Sequence, residues 1–265
     1  MKKKIYNPLV SVIMNCHNGE KYLLESISSL IAQNYKNWEL IFWDNNSVDN
    51  SKKIVKRFKD KRIKYFKSNK FNKLYHSRNL AINKAKGKYI GFLDVDDLWE
   101  KTKLQKQINF LSVNQTIKVI YSNFFLINEL TRKKRLGYKK NTLPAGFITQ
   151  KILNHNCIGF VTTMIEKNIF KNNKFNNKYD IIGDFDFFVK ISQKFQIGCI
   201  QSALASYRIH SSNLSEKKID LFIKELKSWL NENQKKLRKM SLSTIFIHKT
   251  LIKLRIKYYL KFLGM

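Results

Sequence analysis

The chain has 265 residues, with 51 Lys and Arg against 19 Asp and Glu, a formal charge of +32 and 43% apolar residues. This length predicts one large domain, or one domain with an appendage, that buries a hydrophobic core. Aromatic residues make up 13% of the chain, which argues against disorder, and nine Gly with two Pro exclude collagen-like and linker-rich classes.

The first hundred residues alternate short apolar strands with helices whose apolar residues recur at helical spacing. The predicted strands cover residues 10–14, 39–43, 63–66 and 89–93. The predicted helices cover residues 20–33, a segment beginning near Asp49 or Ser51, and 75–86, where Gly87 supplies a C-terminal stop. Such alternation predicts an α/β fold, with a Rossmann-like, mainly parallel sheet flanked by helices on both faces.

The second half of the chain is less regular. We predict a strand at 118–127, a basic loop at 131–140, an aromatic-rich helix at 184–195 and one or two short strands at 197–208. From residue 215 to residue 265 the pattern is helical and basic. The sequence therefore predicts a main domain of residues 1–214 followed by a C-terminal helical appendage of residues 215–265.

Polar clusters follow three of the predicted strands, at residues 15–18, 44–47 and 94–97. In parallel α/β sheets, ligands bind outside the carboxyl ends of the strands. One such cluster would be an ordinary turn, whereas three at the same edge of a sheet predict a binding site.

Asp94, Asp96 and Asp97 lie within four residues at the end of an apolar strand. Carboxylates this close repel one another unless a cation neutralises them. A hard divalent ion such as Mg²⁺ or Mn²⁺, shared with substrate phosphates, is the usual partner. The alternative is a helix N-terminus, which explains Asp97 and leaves the other two carboxylates unexplained.

At these motifs the sequence resembles the nucleotide-binding half of the family-2 glycosyltransferases, which have the GT-A fold. The resemblance is carried, in the family's order and spacing, by residues 10–23, 29–33, 38–41, 44–47, 78–79, 87–90 and 92–97. It implies that residues 1–111 bind the donor nucleotide and residues 112–214 bind the acceptor. It also implies a metal-dependent transfer of sugar from a nucleotide diphosphate, commonly UDP.

The resemblance also assigns roles to individual positions. The residues implied in donor binding are Asn15, His17, Asn18, Glu20, Asp44, Asn45, Arg78 and Asp94. Those implied in binding Mn²⁺ or Mg²⁺ are Asp96, Asp97 and His210. The family's usual Asp-Asp-Gly-Ser is replaced by residues 44–47 with the sequence DNNS, which weakens the expectation of uridine specificity. By themselves, Asn and Ser at this place are also ordinary turn residues.

Asp184 opens the aromatic-rich helix, where apolar surroundings can raise a carboxyl pKa toward a working value for a base. The resemblance aligns it with the catalytic Asp of a Glu-Asp pair, with Gly183 in place of the Glu. The alternative is a simple N-cap. Asp186 lies inside the helix and is the weaker candidate for the base.

Residues 207–215 contain Arg208 and His210, and the family often carries a Tyr-Arg-x-His segment here. The resemblance places Arg208 near the leaving diphosphate and His210 near the metal. A lone His is, however, more often structural than functional.

The implied reaction is an inverting transfer to a glycan or lipid-linked acceptor in surface polysaccharide assembly. Two alternatives are a sugar nucleotidyltransferase and a nucleotide-binding module without catalysis. The first would carry a Gly-rich basic loop after its first strand, which residues 15–19 lack.

The excess of basic residues first suggests a nucleic-acid partner. The basic residues are 43 Lys and only 8 Arg, spread along the chain, whereas base readout favours Arg. We therefore expect no nucleic-acid partner. Residues 245–263 interleave apolar and basic residues, as in a helix that lies on an anionic membrane or one that packs on protein.

Three widely spaced cysteines form neither a disulfide framework nor a CxxC metal site, which favours a reducing compartment. The apolar run 9–14 is too short for a signal-peptide core, and no stretch approaches the ~20 apolar residues of a membrane span. We expect a cytoplasmic protein, with the basic tail as a candidate for peripheral contact with the inner membrane.

Overall fold

The computed structural model describes residues 6–139 and 141–262. Nine strands lie in these residues: β1 (Val10–Cys16), β2 (Trp38–Asp44), β3 (Ile63–Lys67), β4 (Tyr89–Phe92), β5 (Leu98–Trp99), β6 (Val119–Asn128), β7 (Lys134–Leu136), β8 (Met164–Glu166) and β9 (Ile197–Ile209). They form one sheet in the order β3-β2-β1-β4-β8-β6-β9-β5, and β7 pairs with β6.

Ten helices flank the strands in the same described ranges. They are α1 (Glu20–Ile31), α2 (Ser51–Arg57), α3 (Leu74–Lys84), α4 (Lys103–Val113), α5 (Thr149–Asn154), α6 (Ile169–Asn172), α7 (Gly183–Ser192), α8 (Leu214–Lys217), α9 (Ile219–Lys239) and α10 (Ile245–Phe262). None of them combines the length and the apolarity that a membrane crossing requires.

The first four strands are all parallel, with β1 paired to both β2 and β4, and β3 paired to β2. The second half is mixed, because β8 runs antiparallel to both β4 and β6, while β9 runs parallel to β6. The predicted α/β fold with a mainly parallel sheet is confirmed for the half that carries the three polar clusters.

Two apolar cores cover the two faces of the sheet. One contains Leu23, Ile27 and Leu30 of α1, and the other contains the aromatic side chains of α7. Strands β1, β2 and β4 are buried along their whole length, as expected when helices cover both sides of a parallel sheet. Within these strands, the polar side chains of Ser11 and Glu39 are paired, as Ser11 of β1 donates to Glu39 of β2 at 2.6 Å.

Several predicted boundaries differ from those observed. Helix α3 ends at Lys84 instead of 86, because the buried Glu39 carboxylate accepts the Lys86 N–H at 2.7 Å and draws the backbone into an extended conformation. The predicted basic loop contains β7, which pairs with β6. The region predicted as one or two short strands is the single long strand β9.

The segment predicted as an appendage packs into the core. Trp229, Leu230 and Leu237 of α9 are each no more than 3% exposed and belong to the same apolar core as α7. Helix α10 in turn contacts α9 and α5. The division of the chain at residue 214 remains a prediction, and α9 contributes directly to the scaffold around α7.

Candidate active site

A cavity of about 820 Å³ lies at the carboxyl ends of β1, β2 and β4. Its lining includes residues from all three of the polar clusters that follow strands, namely Asn15, His17, Asn45, Asp94 and Asp96. Arg78 of α3 and Asp184 of α7 line the same cavity. Parallel topology and an adjoining helix thus bring together predicted donor, metal and base residues that lie far apart in the sequence.

Asp94 is held by the buried guanidinium of Arg78. One nitrogen, Nη2, donates to Asp94 Oδ1 at 2.7 Å and to Oδ2 at 3.0 Å. The guanidinium carbon lies 4.1 Å from the ring centroid of Phe160 and 4.9 Å from that of Tyr75. Because these rings restrict Arg78, the carboxylate of Asp94 is fixed in orientation while a third of its side chain stays exposed.

Asp96 and His210 form a hydrogen-bonded pair, and a divalent cation at His210 Nε2 would displace the ring proton that faces Asp96. Asp96 Oδ2 lies 3.0 Å from His210 Nε2, and the Ser212 amide donates to His210 Nδ1 at 3.2 Å. Two adjacent ligands of an octahedral ion with bonds of about 2.1 Å are also about 3 Å apart. The described ranges contain no group of three or more His, Cys, Asp or Glu suited to a metal. Asp96 lines the cavity and can ligate an ion completed by substrate phosphates and water, whereas His210 is 8% exposed and outside the lining, so its role as a ligand remains a prediction.

Asp97 and Arg208 lie next to Asp96 and His210 and, like His210, do not line the cavity. The Arg208 backbone N–H donates to Asp97 Oδ1 at 3.0 Å, and Arg208 Nε donates to the Asp96 carbonyl at 2.9 Å. Arg208 also pairs with Glu25 at 2.7 Å. Both side chains are no more than 3% exposed. These contacts position Asp96, while the metal and diphosphate contacts expected from the sequence remain predictions.

Asn15 lines the cavity with an amide that has no internal partner. Its side chain is 8% exposed, and neither the amide nitrogen nor the amide oxygen has a hydrogen-bond partner among the described residues. Buried polar groups without partners are rare and costly in native proteins, roughly 1–3 kcal/mol each. A ligand in the cavity that supplies those partners would remove this cost.

His17 and Phe71 form an aromatic wall of the cavity. Their ring centroids are 4.6 Å apart in an edge-on arrangement, and His17 Nδ1 donates to the Asn45 carbonyl at 3.0 Å. Phe71 is 56% exposed. Exposed aromatic faces are suited to stacking against a nucleobase. Phe71 is not predicted from the sequence, because it is a single aromatic residue in a polar segment after β3.

Asn45 holds the segment that carries Phe71. Its Nδ2 donates to the Asn72 carbonyl at 2.8 Å, and its Oδ1 accepts the Asn72 N–H at 3.0 Å. Both polar atoms of the Asn45 side chain therefore have partners in the segment that carries Phe71, and Asn45 holds this wall of the cavity in place.

Three residues predicted to bind the donor, Asn18, Glu20 and Asp44, do not line the cavity. The side-chain oxygens of Asn18 and Glu20 each accept an N–H from the loop after β2 at 2.9 Å. Asp44 accepts the Ser47 N–H at 2.7 Å and the Tyr65 hydroxyl. These hydrogen bonds fix the two loops, and direct contact of the three residues with the donor remains a prediction.

Asp184 lies in the first turn of α7 and accepts the Phe185 N–H at 2.7 Å. Burial raises the pKa of its carboxyl, although the charge of Arg78 acts in the opposite direction. Asp186, by contrast, accepts Trp229 Nε1 at 2.9 Å and pairs with Lys190 at 2.7 Å. Asp184 is thus the carboxyl of α7 whose surroundings suit a general base.

Gly183 is required by the ring of Tyr75. A Cβ atom at this position would lie 2.3 Å from the Tyr75 ring, closer than any stable contact. Tyr75 is 3% exposed and lines the cavity next to Asp184. The glycine that replaces the family's Glu therefore has a steric cause, which the sequence did not reveal because the two residues are far apart in the chain.

Glu225 of α9 anchors the segment that precedes α7. Its carboxylate accepts the N–H groups of Asp180 at 2.7 Å, Ile181 at 2.9 Å and Ile182 at 3.2 Å. Three donors on one buried carboxylate fix this segment, and with it the start of the helix that carries Asp184. Glu225 lies in the segment predicted as an appendage, and its sequence position alone indicates no role.

Comparison with known proteins identifies relatives of the chain. Residues 11–171 match the family model described as Glycosyl transferase family 2. The chain is 33% identical over 221 residues to the UDP-Glc:alpha-D-GlcNAc-diphosphoundecaprenol beta-1,3-glucosyltransferase WfgD of Escherichia coli. That alignment covers 83% of this chain and 83% of the relative.

Two solved structures share the fold. TarS 1-349 of S. aureus, in complex with UDP, has a TM-score of 0.65 at 20% identity over 82% of this chain. The mannosyltransferase PcManGT from Pyrobaculum calidifontis, in complex with GDP-Man and Mn²⁺, has a TM-score of 0.65 at 14% identity over 85% of this chain. The chain spans 65% of the length of each structure. The predicted GT-A fold is confirmed.

Proposed function

Since the chain belongs to the family-2 glycosyltransferases, we propose that it transfers a sugar from a UDP-sugar to a hydroxyl group of a lipid-linked glycan acceptor. The name of WfgD specifies a UDP-Glc donor and a diphosphoundecaprenol-linked acceptor, and TarS was solved with UDP. The observation that carries the proposal is the single cavity shared by Asp94, Asp96 and Asp184.

We assign the donor to the β1, β2 and β4 edge of the cavity, within residues 1–111. The nucleobase would pack against His17 and Phe71, and Asn15 would supply hydrogen bonds to the nucleoside. Arg78 and Asp94 act as a unit, because the two contacts from Nη2 fix the carboxylate that would meet the ribose and the sugar.

Asp96 and His210 would hold Mn²⁺ or Mg²⁺ at the donor diphosphate. The bound ion would offset the negative charge that develops on the departing nucleoside diphosphate. A divalent ion also accompanies the donor in the PcManGT structure, which was solved with Mn²⁺. Arg208 supports this function from behind, since it hydrogen-bonds the backbone of Asp96.

Asp184 would remove the proton of the acceptor hydroxyl as that oxygen bonds to the anomeric carbon and the sugar–phosphate bond breaks. A positioned general base typically contributes ~10²- to 10⁴-fold to the rate. One displacement inverts the anomeric configuration. Two of the other carboxylates that line the cavity already have side-chain partners, because Asp94 pairs with Arg78 and Asp96 with His210.

The proposal is tested by a donor screen followed by two substitutions. Thermal stabilisation and nucleotide release are measured with UDP-, GDP-, CDP- and dTDP-sugars in the presence and absence of Mn²⁺. We expect a UDP-sugar to bind with Mn²⁺, Asp96→Ala to lose the metal-linked part of binding, and Asp184→Asn to bind the donor and lose transfer by at least ~10²-fold.

Asp220→Asn, on the exposed surface of α9, is the matched control and should keep full transfer. If no nucleotide sugar binds with or without metal, the proposed donor class is wrong. If Asp184→Asn retains full transfer, another group is the base.

A further inference from the structure

Helix α10 has two faces with different surroundings. Ile247 and Leu251 are 5% and 7% exposed and belong to the apolar core. On the side turned away from them, Ile252, Ile256 and Tyr259 are 56%, 54% and 64% exposed. These three residues are spaced by four and three positions, so they form one continuous stripe along the helix.

Cations flank this stripe. Lys249, Lys253 and Arg255 are exposed on α10, and the helix contains no Asp or Glu. Farther along, Lys257 is neutralised by Glu216, with contacts of 2.7 and 2.8 Å. The surface beside the stripe therefore combines exposed apolar side chains with positive charge that the helix itself does not balance.

We propose that α10 binds an anionic membrane surface through this stripe. The apolar side chains would enter the boundary between headgroups and acyl chains, and the three cations would meet anionic headgroups. A second copy of the chain is a poorer partner, because pairing two such stripes would bring the cations of both copies together without a counter-charge from either helix.

The same helix also borders the cavity. Ile247 and Thr250 line it, together with Leu226 and Phe222 of α9. A membrane bound to the outer stripe would therefore lie one helix away from the cavity that contains Asp184. If the acceptor is lipid-linked, which rests on the proposed function, this docking would keep the enzyme beside its substrate.

The test is flotation of the full chain with vesicles of equal parts phosphatidylcholine and phosphatidylglycerol, compared with pure phosphatidylcholine. We expect binding to the anionic vesicles and at least tenfold weaker binding after Ile252→Gln, Ile256→Gln and Tyr259→Gln are combined. Gln keeps a high helix propensity, so the helix itself should persist. Lys249→Gln with Lys253→Gln should weaken binding about fivefold for each lysine.

The matched control removes three exposed apolar side chains elsewhere, through Leu24→Gln, Val113→Gln and Phe147→Gln, and should bind as the unaltered chain does. Equal binding to both vesicle types, no binding, or full binding by the stripe variant would overturn the proposal. A dimer of the unaltered chain that the stripe substitutions abolish would overturn it as well, because the stripe would then join two copies.

Transfer assays separate this proposal from the proposed function. The stripe variant should transfer normally to a short-chain acceptor in solution and poorly to the same glycan on a long lipid in anionic vesicles. If the chain transfers no sugar to any acceptor while the vesicle results stand, the proposed function fails and membrane docking is retained.

Discussion

Asp184 should lower the stability of the folded chain at the pH at which it serves the proposed reaction, and this loss can be measured. Its carboxyl is charged in the proposed reaction, while its surroundings in the folded chain penalise that charge and raise its pKa above 3.8. Residues that serve catalysis at a cost to stability are common in enzymes. This cost distinguishes Asp184 from Asp186, whose two oxygens have a cation and an indole N–H as partners.

Asp184→Asn should therefore raise the thermal midpoint at pH 7. A raised native pKa means that the folded state binds the proton more tightly than the unfolded chain does. Stability is then lost as the pH rises from about 4 through the native pKa, and the loss is complete above it. Asn carries no such charge, so its advantage should be largest at pH 7 and vanish near pH 4.

Thermal unfolding followed by circular dichroism between pH 4 and pH 7 measures this difference. Asp220→Asn on the exposed surface should show no difference from the unaltered chain at either limit. A lower midpoint for Asp184→Asn at pH 7 would mean that the carboxylate has a stabilising partner, and would remove the physical argument for a raised pKa.

At the scale of elements, α9 is coupled to the site through Glu225. The carboxylate receives three backbone N–H groups just before α7, so its replacement affects a helix far away in the sequence. Gln has one carboxamide oxygen where Glu has two carboxylate oxygens. Its NH₂ group would face the backbone N–H groups that the second oxygen accepts in the unaltered chain.

Glu225→Gln should destabilise the fold by about 2 kcal/mol, since hydrogen bonds to buried charged groups each contribute roughly 1.5–3 kcal/mol. It should also reduce transfer while leaving donor affinity unchanged, because Asp94 and Asp96 lie on a different segment. Urea unfolding and donor titration by calorimetry measure the two effects. Glu232→Gln, at an exposed ion pair with Lys178, should change neither, and an equal effect of both variants would contradict the anchoring role.

The elements that were predicted well from the sequence are those with strong local patterns. β1, β2 and β4 are apolar runs that end in polar residues, and parallel topology alone is enough to gather Asn15, Asp94 and Asp96 at one edge. The end of α3 was predicted less well, because it is determined by Glu39, a residue of another strand.

The parts of the site that the sequence did not reveal depend on contacts between distant residues. Tyr75 fills the space above Gly183, and Glu225 binds the 180–182 segment from α9. Asp44 and Asn45 occupy the predicted positions, yet hydrogen bonds from Tyr65 and Asn72 use their side chains for structure. A motif identifies which residue types recur, whereas the partner of each side chain is decided by the assembled fold.

At the scale of the whole molecule, the chain has a formal charge of +32. The site, by contrast, contains mainly carboxylates, amides and one buried arginine. The last 50 residues combine two functions that the sequence could not separate. Helix α9 completes the core, while α10 has one face on that core and another, apolar and basic, exposed.

Two truncations test where the folding unit ends. Residues 1–214 lack Leu226, Trp229, Leu230 and Leu237, each no more than 3% exposed. Removing a single buried side chain of this size typically costs roughly 2–5 kcal/mol, so losing four is comparable with the whole of the roughly 5–15 kcal/mol that stabilises a typical domain.

We therefore expect residues 1–214 to show no cooperative thermal transition and no near-ultraviolet circular dichroism signal from ordered aromatic side chains. Residues 1–241 keep α9 and should unfold cooperatively at a reduced midpoint, because α10 contributes few fully buried side chains, Ile247 and Leu251 among them. The longer fragment should also lose binding to anionic vesicles. A sharp transition for residues 1–214 would instead show that the domain ends where the sequence pattern changes, and that α9 is an addition to a fold that is complete without it.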